Sequence, residues 1–450
     1  SVQRSKMIGL GTKNLSEIVP GFGEEIKDLK FKNWLDWFIY FRSPKECWDA
    51  QPTYLASELT FLIIGVLTFV HSQRVGGRWK WLWLATIIHG IVVECAAYWL
   101  PDIDNFWHSL TMVTLLGRRL PIHIMFLYPT FIYNASCAVA RLKLPNWAEP
   151  FAVGLTVVLI DIPYDIMCVN FLHWTWHDTD PNIADRFYWV PWNSFYFHAT
   201  FAASFTFFFH FWKRVIIGQK PSDSKWRAGT AKQELICATL TGLCGMPGGV
   251  LQFIPLYHPL HDIFKIHSEN CFFMLAATFL FIAWSADRQQ KDPSARLKVV
   301  SVRSFLRRIN ENVISLMLHY SCYLGIVIFG KPENEVSTGP HEKLGPCNEI
   351  VPVQTVFGMT LEKRKYLCSR DYDEKYFDFH CLPDGKIPED GSEWYTICGV
   401  PLPNRAEYIA IIGTICWVAF LVFGNMFFLS GQEEGYYNSK KDVSELKKRK

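Results

Sequence analysis

Charge is scarce in this sequence. Asp, Glu, Lys and Arg make up 19% of its 450 residues, against 50% hydrophobic and 16% aromatic residues. A soluble protein of that length would fold as several domains with charged surfaces, and too little charge is present to supply them. The net charge of +3 is accounted for by loops and a tail, so no nucleic-acid partner is expected. No internal repeat is visible, which weighs against a transporter built from duplicated halves. Before Tyr54 there is no apolar run long enough for a signal peptide. A cleaved signal upstream of Ser1, or trimming, is expected to account for the start.

What is abundant is apolarity in blocks. Nine spans are predicted: Tyr54 to Val70, Trp81 to Leu100, Leu120 to Ala140, Ala148 to Asn170, Val190 to Trp212, Glu234 to Leu256, Cys271 to Ser285, Val313 to Phe329 and Tyr408 to Leu429. Two are short for a hydrocarbon layer of ~30 Å. The expected fold is all-α, a polytopic transmembrane helical bundle. Residues 1–53 are expected to form a lumenal segment with an interfacial amphipathic helix between Asp28 and Phe41,. Spans one to eight then occupy 54–330, a Cys-containing loop 331–405, the last span 406–430, and a basic cytosolic tail 431–450.

Every second loop is basic. Arg74, Arg78 and Lys80 follow the first span, Arg141 and Lys143 the third, Lys213, Arg214, Lys220, Lys225, Arg227 and Lys232 the fifth, and a further run from Arg288 to Arg308 the seventh. Cytosolic loops carry the excess of Lys and Arg, so this phase puts the N-terminus outside the cytosol and the C-terminus inside it. Arg118 and Arg119 are the exception. Cys347, Cys368, Cys381 and Cys398 form an even set in one polar loop, as suits two disulfides in an oxidising lumen, with their pairing open. Asn14-Leu15-Ser16 is a glycosylation sequon usable on the same side. The closing Lys447-Lys448-Arg449-Lys450 resembles a retrieval signal of the endoplasmic reticulum, or else is a solvated basic tail. A multi-pass protein of the endoplasmic reticulum or secretory-pathway membrane is expected.

Acids, histidines and tryptophans crowd between Asp161 and His198. Asp161 and Asp165 are one helical turn apart and share a face. Carboxylates at that depth are expensive, and they mark either a polar cavity or ties between helices. Glu94 lies within the second span, and His108, His123, Asn170, His173, Trp174, Trp176, His177, Trp192, Asn193 and His198 gather toward the same end, where facing helices build sites. The spacing of His173 and His177 is that of two metal ligands on a helix; with His108 they make a candidate zinc set, the alternative being histidines of an aromatic belt. Asp178 and Asp180 before Pro181 read as a turn, and Glu58 as an interhelical hydrogen bond. Pro121, Pro129, Pro163 and Pro191 bend spans, and Gly242 to Gly249 is expected to break the sixth, for a ligand or for close packing.

His89-Gly90 before Glu94, Asp161 with Asp165, Trp174 with Trp176, and Tyr188-Trp189-Val190-Pro191-Trp192-Asn193-Ser194-Phe195 follow one another between Trp81 and Trp212. In that order they resemble the membrane-embedded carotenoid hydratase family of prokaryotes. Trp189 stands where the motif has glycine, Ser194 where it has Asn, and the Asp-Pro of the acidic helix is absent after Asp165, so the substrate is not carried over. The stretches HWTWHDTDPNI and YWVPW also resemble an uncharacterised animal multi-pass membrane family, which implies no activity. Adding water to an alkene, as the first resemblance implies, requires a carboxylic acid that keeps its proton, and an apolar pocket disfavours the anion. Glu94, Asp161 and Asp165 are the nominated catalytic groups. His123, Asn170, Trp174, Trp176, Trp192, Asn193 and His198 are the nominated pocket.

Three functions are expected to compete. The first is binding or processing of an apolar lipid or isoprenoid in a polar pocket near the lumenal side, with membrane lipids as partners. The second is an accessory subunit of a larger membrane complex, docked through 331–405. The third is a zinc-dependent lipid hydrolase built on the histidines, zinc being the one cofactor considered.

Overall fold

The computed structural model describes residues 22–100, 105–218, 224–289 and 309–429. The sequon at Asn14 and the basic tail lie outside the described residues. The N-terminal aromatic stretch is not one amphipathic helix. The Asn33 side chain accepts from the backbone N–H groups of Leu35 and Asp36 and starts a single short helix, α1 (Trp34–Phe38),. The chain then turns into β1 (Ile39–Phe41), because these residues pair antiparallel with Val113 to Leu115. After α2 (Pro44–Ala50), Trp34, Leu35, Phe38, Phe41 and Trp48 remain exposed.

The bundle comprises α3 (Pro52–Val75), α4 (Trp79–Trp99), α5 (Ile124–Tyr128), α6 (Asn134–Val139), α7 (Glu149–Asn170), α8 (Trp192–Trp212), α9 (Ala231–Leu256), α10 (Ser268–Gln289), α11 (Glu311–Phe329) and α12 (Arg405–Gly424). Among the described residues, seven helices are long and apolar enough to cross a membrane: α3, α4, α7, α9, α10, α11 and α12. The other two predicted spans are helical but fall outside that group. A π turn over Pro129–Tyr133 interrupts the helix between α5 and α6, and the His, Tyr and Trp residues of α8 lower its hydropathy.

Helix α7 lies at the centre, packed by α8, α10, α11 and α12. Its close approach to α8 requires Gly154, where a Cβ would stand 2.5 Å from the Ala199 carbonyl oxygen. Pro163 lacks the N–H that would bond the Leu159 carbonyl. Tyr320 on α11 supplies the missing donor, its hydroxyl reaching that oxygen at 2.9 Å, and His319 Nε2 reaches the neighbouring Ile160 carbonyl at 2.7 Å. The glycine-rich stretch from 242 to 249 does not break its helix, since α9 runs through it. These glycines serve contact: a Cβ at Gly249 would sit 2.2 Å from the Phe201 ring and one at Gly245 would sit 2.8 Å from His89.

One end of the bundle carries a cap, and here the all-α expectation is corrected. The chain is mostly helical but holds small antiparallel sheets. From the bundle loops come β2 (Phe106–His108), β3 (Val113–Leu115), β4 (Leu120–Pro121), β5 (Trp174–Trp176), β6 (Arg186–Phe187) and β7 (Val190–Pro191). The 331–405 segment supplies β8 (Val336–Pro340), β9 (Ile350–Gln354), β10 (Thr360–Arg364), β11 (Phe377–Asp378) and β12 (Trp394–Gly399). Strand β2 pairs with β5, β1-β3-β4 and β11-β12-β8 form three-stranded sheets, and β9 with β10 makes a hairpin. Disulfides join Cys347 to Cys368 and Cys381 to Cys398. The cap is tied down by Leu110 N–H to the Thr338 carbonyl at 3.0 Å and by the Tyr376 hydroxyl to the Trp176 carbonyl at 2.7 Å. The earliest described residues close it: Gly23 N–H donates to the Trp394 carbonyl at 2.7 Å, and Ile26 N–H to the Glu393 carboxylate at 2.5 Å.

Candidate functional site

Two facing helix turns build the centre of the bundle. Asp161 and Asp165 are four residues apart on α7, and Ser194 and His198 are four apart on α8, so each pair projects from one face. With 1.5 Å of rise per residue, Asp161 is about 13 Å below the capped end of α7 and Asp165 about 7 Å. Both aspartates are fully buried. The Ser194 hydroxyl donates to Asp165 Oδ2 at 2.7 Å, and His198 Nε2 stands 3.3 Å from Asp161 Oδ1. One oxygen of each aspartate and one nitrogen of His198 all lie within 4.8 Å of one another. Apart from the Ser194 hydroxyl no other residue donates to these carboxyls, and Asp161 and Asp165 share a hydrogen bond between themselves. The His198 side chain is half-buried, while both aspartates beside it are enclosed. Phe131 packs on both His198 and His319 and makes one wall.

Glu94 is not in this cluster. It accepts from the Tyr128 hydroxyl at 2.8 Å and lies 3.6 Å from His108 Nε2. Glu94 and His108 line a cavity of about 10 Å³ with Tyr98, Phe106, Leu116 and Arg119, room for about one water molecule,. Beside it, His123 Nδ1 lies 3.9 Å from Glu58 Oε1, and Tyr54 stacks on His173 and meets His123 edge-on. Glu58, read from sequence as a mere tie, is therefore part of a second buried group. Tyr54 Oη, Glu58 Oε1, His108 Nε2, His123 Nδ1 and Trp174 Nε1 are all buried there without a hydrogen bond.

The zinc set does not assemble. His173 and His177 flank β5 rather than lying on a helix, because residues 174–176 pair with 106–108. In a strand, residues four apart are roughly 13 Å apart, too far to share an ion. His173 instead bonds Thr53 Oγ1 at 2.9 Å and contacts Cys168 Sγ at 3.2 Å, and burial pushes it down to about 3. His177 faces the cap, 3.5 Å from the buried Glu374 and beside His341, with Thr175 Oγ1 within reach of both imidazoles. Burial holds His341 well below the ordinary histidine value. His341 and Glu374 come from the cap sequence, and nothing near His177 in the chain points to them.

Several nominated pocket residues are joints instead. Asn170 donates to the Ile166 and Tyr188 carbonyls and accepts from Tyr408, which locks the end of α7 to α12. Asn193 donates to the Asn182 carbonyl, and Trp192 packs among Phe187, Phe195, Phe272 and Phe273. Trp174 and Trp176 are buried under the cap, Trp174 against His108 and Tyr164.

The far end of the bundle buries acids too. Arg78 and Glu234, both fully enclosed, pair at 3.0 Å, and Arg78 Nη2 also donates to the Phe209 carbonyl at 3.0 Å. Glu149 pairs with Lys225 and lies 3.2 Å from His210 Nε2. Trp79 stacks on Trp226 at 3.8 Å, so the connection between α8 and α9 is held against the bundle.

No curated protein and no solved structure matches this chain. The family model described as Domain of unknown function (DUF7802) matches residues 24–428 and so takes in the bundle and its cap together; the chain belongs to that family.

Proposed function

We propose that the chain binds an apolar lipid or isoprenoid against the bundle and processes its polar or reactive end by acid–base chemistry at the Asp161–Asp165–His198 centre. One observation carries this reading: two fully buried carboxyl groups face each other with a serine hydroxyl as the one other donor and no cation from Lys or Arg, and a half-buried imidazole stands beside them. Buried acids without compensating partners are retained where they act. An aromatic wall beside them suits an isoprenoid chain, and Glu94, with Tyr128 and His108, makes a second acid within the same bundle. Water addition to an alkene is the reaction the sequence resemblance implies. The membrane arrangement belongs to the same proposal: nine spans, with α8 and the α5–α6 stretch crossing as well. The N-terminus and the disulfide-stapled cap then face the lumen of the endoplasmic reticulum or secretory pathway, and the exposed aromatics of residues 34–48 rest in the interface.

The test is turnover of isoprenoid substrates by purified chain, with lipid extraction and mass spectrometry of the same preparation. Asp161→Asn is expected to abolish turnover and Glu94→Gln to reduce it. Unchanged turnover in both variants would remove the acid role. A second reading, an accessory subunit, is favoured by one feature. Ile350, Val356 and Phe357 are exposed on the β9–β10 hairpin,. That role requires a partner whose crosslinking in native membranes depends on Phe357 and is indifferent to Asp161→Asn.

A further inference from the structure

The two i,i+4 pairs that face each other across α7 and α8 supply more than proton donors. Asp161 and Asp165 bring two carboxylates and His198 one imidazole, with a ligand atom from each inside a 4.8 Å sphere. Gly154 sets the close spacing of the two helices that makes this convergence possible. Ser194 fixes the Asp165 carboxylate by a 2.7 Å hydrogen bond to Oδ2, and no other residue but Asp161 bonds this carboxyl. Asp161 has Asp165 as its one side-chain hydrogen-bond partner, a shared proton that a bound cation would displace. Among the described residues no Lys or Arg pairs with either aspartate. Two carboxylates in an apolar interior carry a charge that a divalent cation cancels.

We propose that Asp161, Asp165 and His198 bind one divalent first-row metal ion, of the Zn²⁺ or Mn²⁺ type. The imidazole argues against Mg²⁺ and Ca²⁺, which take all-oxygen sets, and the absence of thiolate argues against copper(I) and iron–sulfur chemistry. Three protein ligands leave coordination positions for water or for an oxygen of a bound molecule, the pattern of a working metal site rather than a structural one. Ser194 is a positioning residue that holds a ligand. Ligated Asp161 and Asp165 are deprotonated, so with the ion in place they are ligands and not proton donors; the ion's use, to polarise an oxygen on the lipid, rests on the lipid binding proposed above, and the binding of the ion does not. This places metal chemistry away from the His108, His173 and His177 set that the sequence nominates.

The experiment uses the full chain purified in detergent. Metal content is measured by mass spectrometry before and after incubation with Zn²⁺ or with Mn²⁺ followed by desalting, and thermal unfolding is recorded with and without each ion. About one equivalent per chain and a rise in Tm with the ion are expected. Asp161→Asn and His198→Gln are each expected to lose the equivalent and the rise, while His258→Gln, at a residue whose Nδ1 lies 2.8 Å from Asp262 Oδ2 in the connection between α9 and α10, keeps both. Wild-type chain that takes up neither ion, or an Asp161→Asn variant that retains it, overturns the proposal. Should one variant fail to fold, the other decides. Lipid extracted from the same samples separates the two claims: bound lipid without metal sinks the metal site alone, and stoichiometric metal without lipid or turnover sinks the lipid reading alone.

Discussion

The far end of the bundle and its centre bury acids in opposite ways. At the far end Glu234 meets Arg78, and Glu149 meets Lys225 and His210, so each carboxylate has a cation. In the centre Asp161 and Asp165 have a serine hydroxyl and a histidine. A well-paired buried ion pair is roughly neutral for stability, while a buried acid without its cation is a loss. The first arrangement therefore explains itself as scaffold, fastening the connection between two helices. The second gives the fold no such pairing, and the proposed acid–base role is what accounts for it.

Breaking a matched pair should have the largest effect. Glu234→Ala leaves Arg78 enclosed without its counter-ion and is expected to destabilise the chain by about 3–5 kcal/mol. Thermal unfolding in detergent measures this, and the double variant Arg78→Met with Glu234→Leu should recover most of the loss. Asp161→Asn tests the other side of the contrast. Removing a charge that lacks a cation should leave Tm equal to or above that of the parent chain while turnover falls. A drop as large as that of Glu234→Ala would erase the distinction between the two ends.

A further buried acid stands between these extremes and gives the smallest effect. Glu335, beneath the cap, accepts one backbone hydrogen bond, from Thr53 N–H at 3.4 Å. Burial raises its carboxyl to about 8, against the opposing hydrogen bonds from Thr53. Its folded value thus exceeds the ordinary 4.5, so the folded chain holds a proton that the unfolded chain releases. The resulting stability is fully present below pH 4.5 and is lost as pH rises through about 8,. Glu335→Gln should flatten this decline in a series of Tm against pH.

Much of the bundle was legible in the sequence because long apolar runs state their own depth. The Asp161 and Asp165 pairing was legible for a related reason: their spacing needs only helical geometry, and Ser194 with His198 repeats it four residues apart on α8. What was not legible depends on tertiary pairing. Trp174, Thr175 and Trp176 become a strand because residues 106–108 lie alongside, and that separates His173 from His177. Asn170 and Asn193 look available in sequence yet spend their hydrogen bonds on distant carbonyls. Glu58 and Glu374 join histidines far from them in the chain, and no local pattern marks the match.

The clasp between residues 23–26 and the Glu393–Trp394 turn spans 367 residues at its Ile26 bond. At ribosomal speeds of 5–20 residues per second, roughly 20 to 70 s pass before the later half of that clasp exists. Until then the leading segment has no strand to meet, and the growing polypeptide must be sheltered with its outer surface unsealed. A product that stops short of Glu393 lacks both acceptors of the clasp, so residues 23–26 are left with their N–H groups unmatched at that edge.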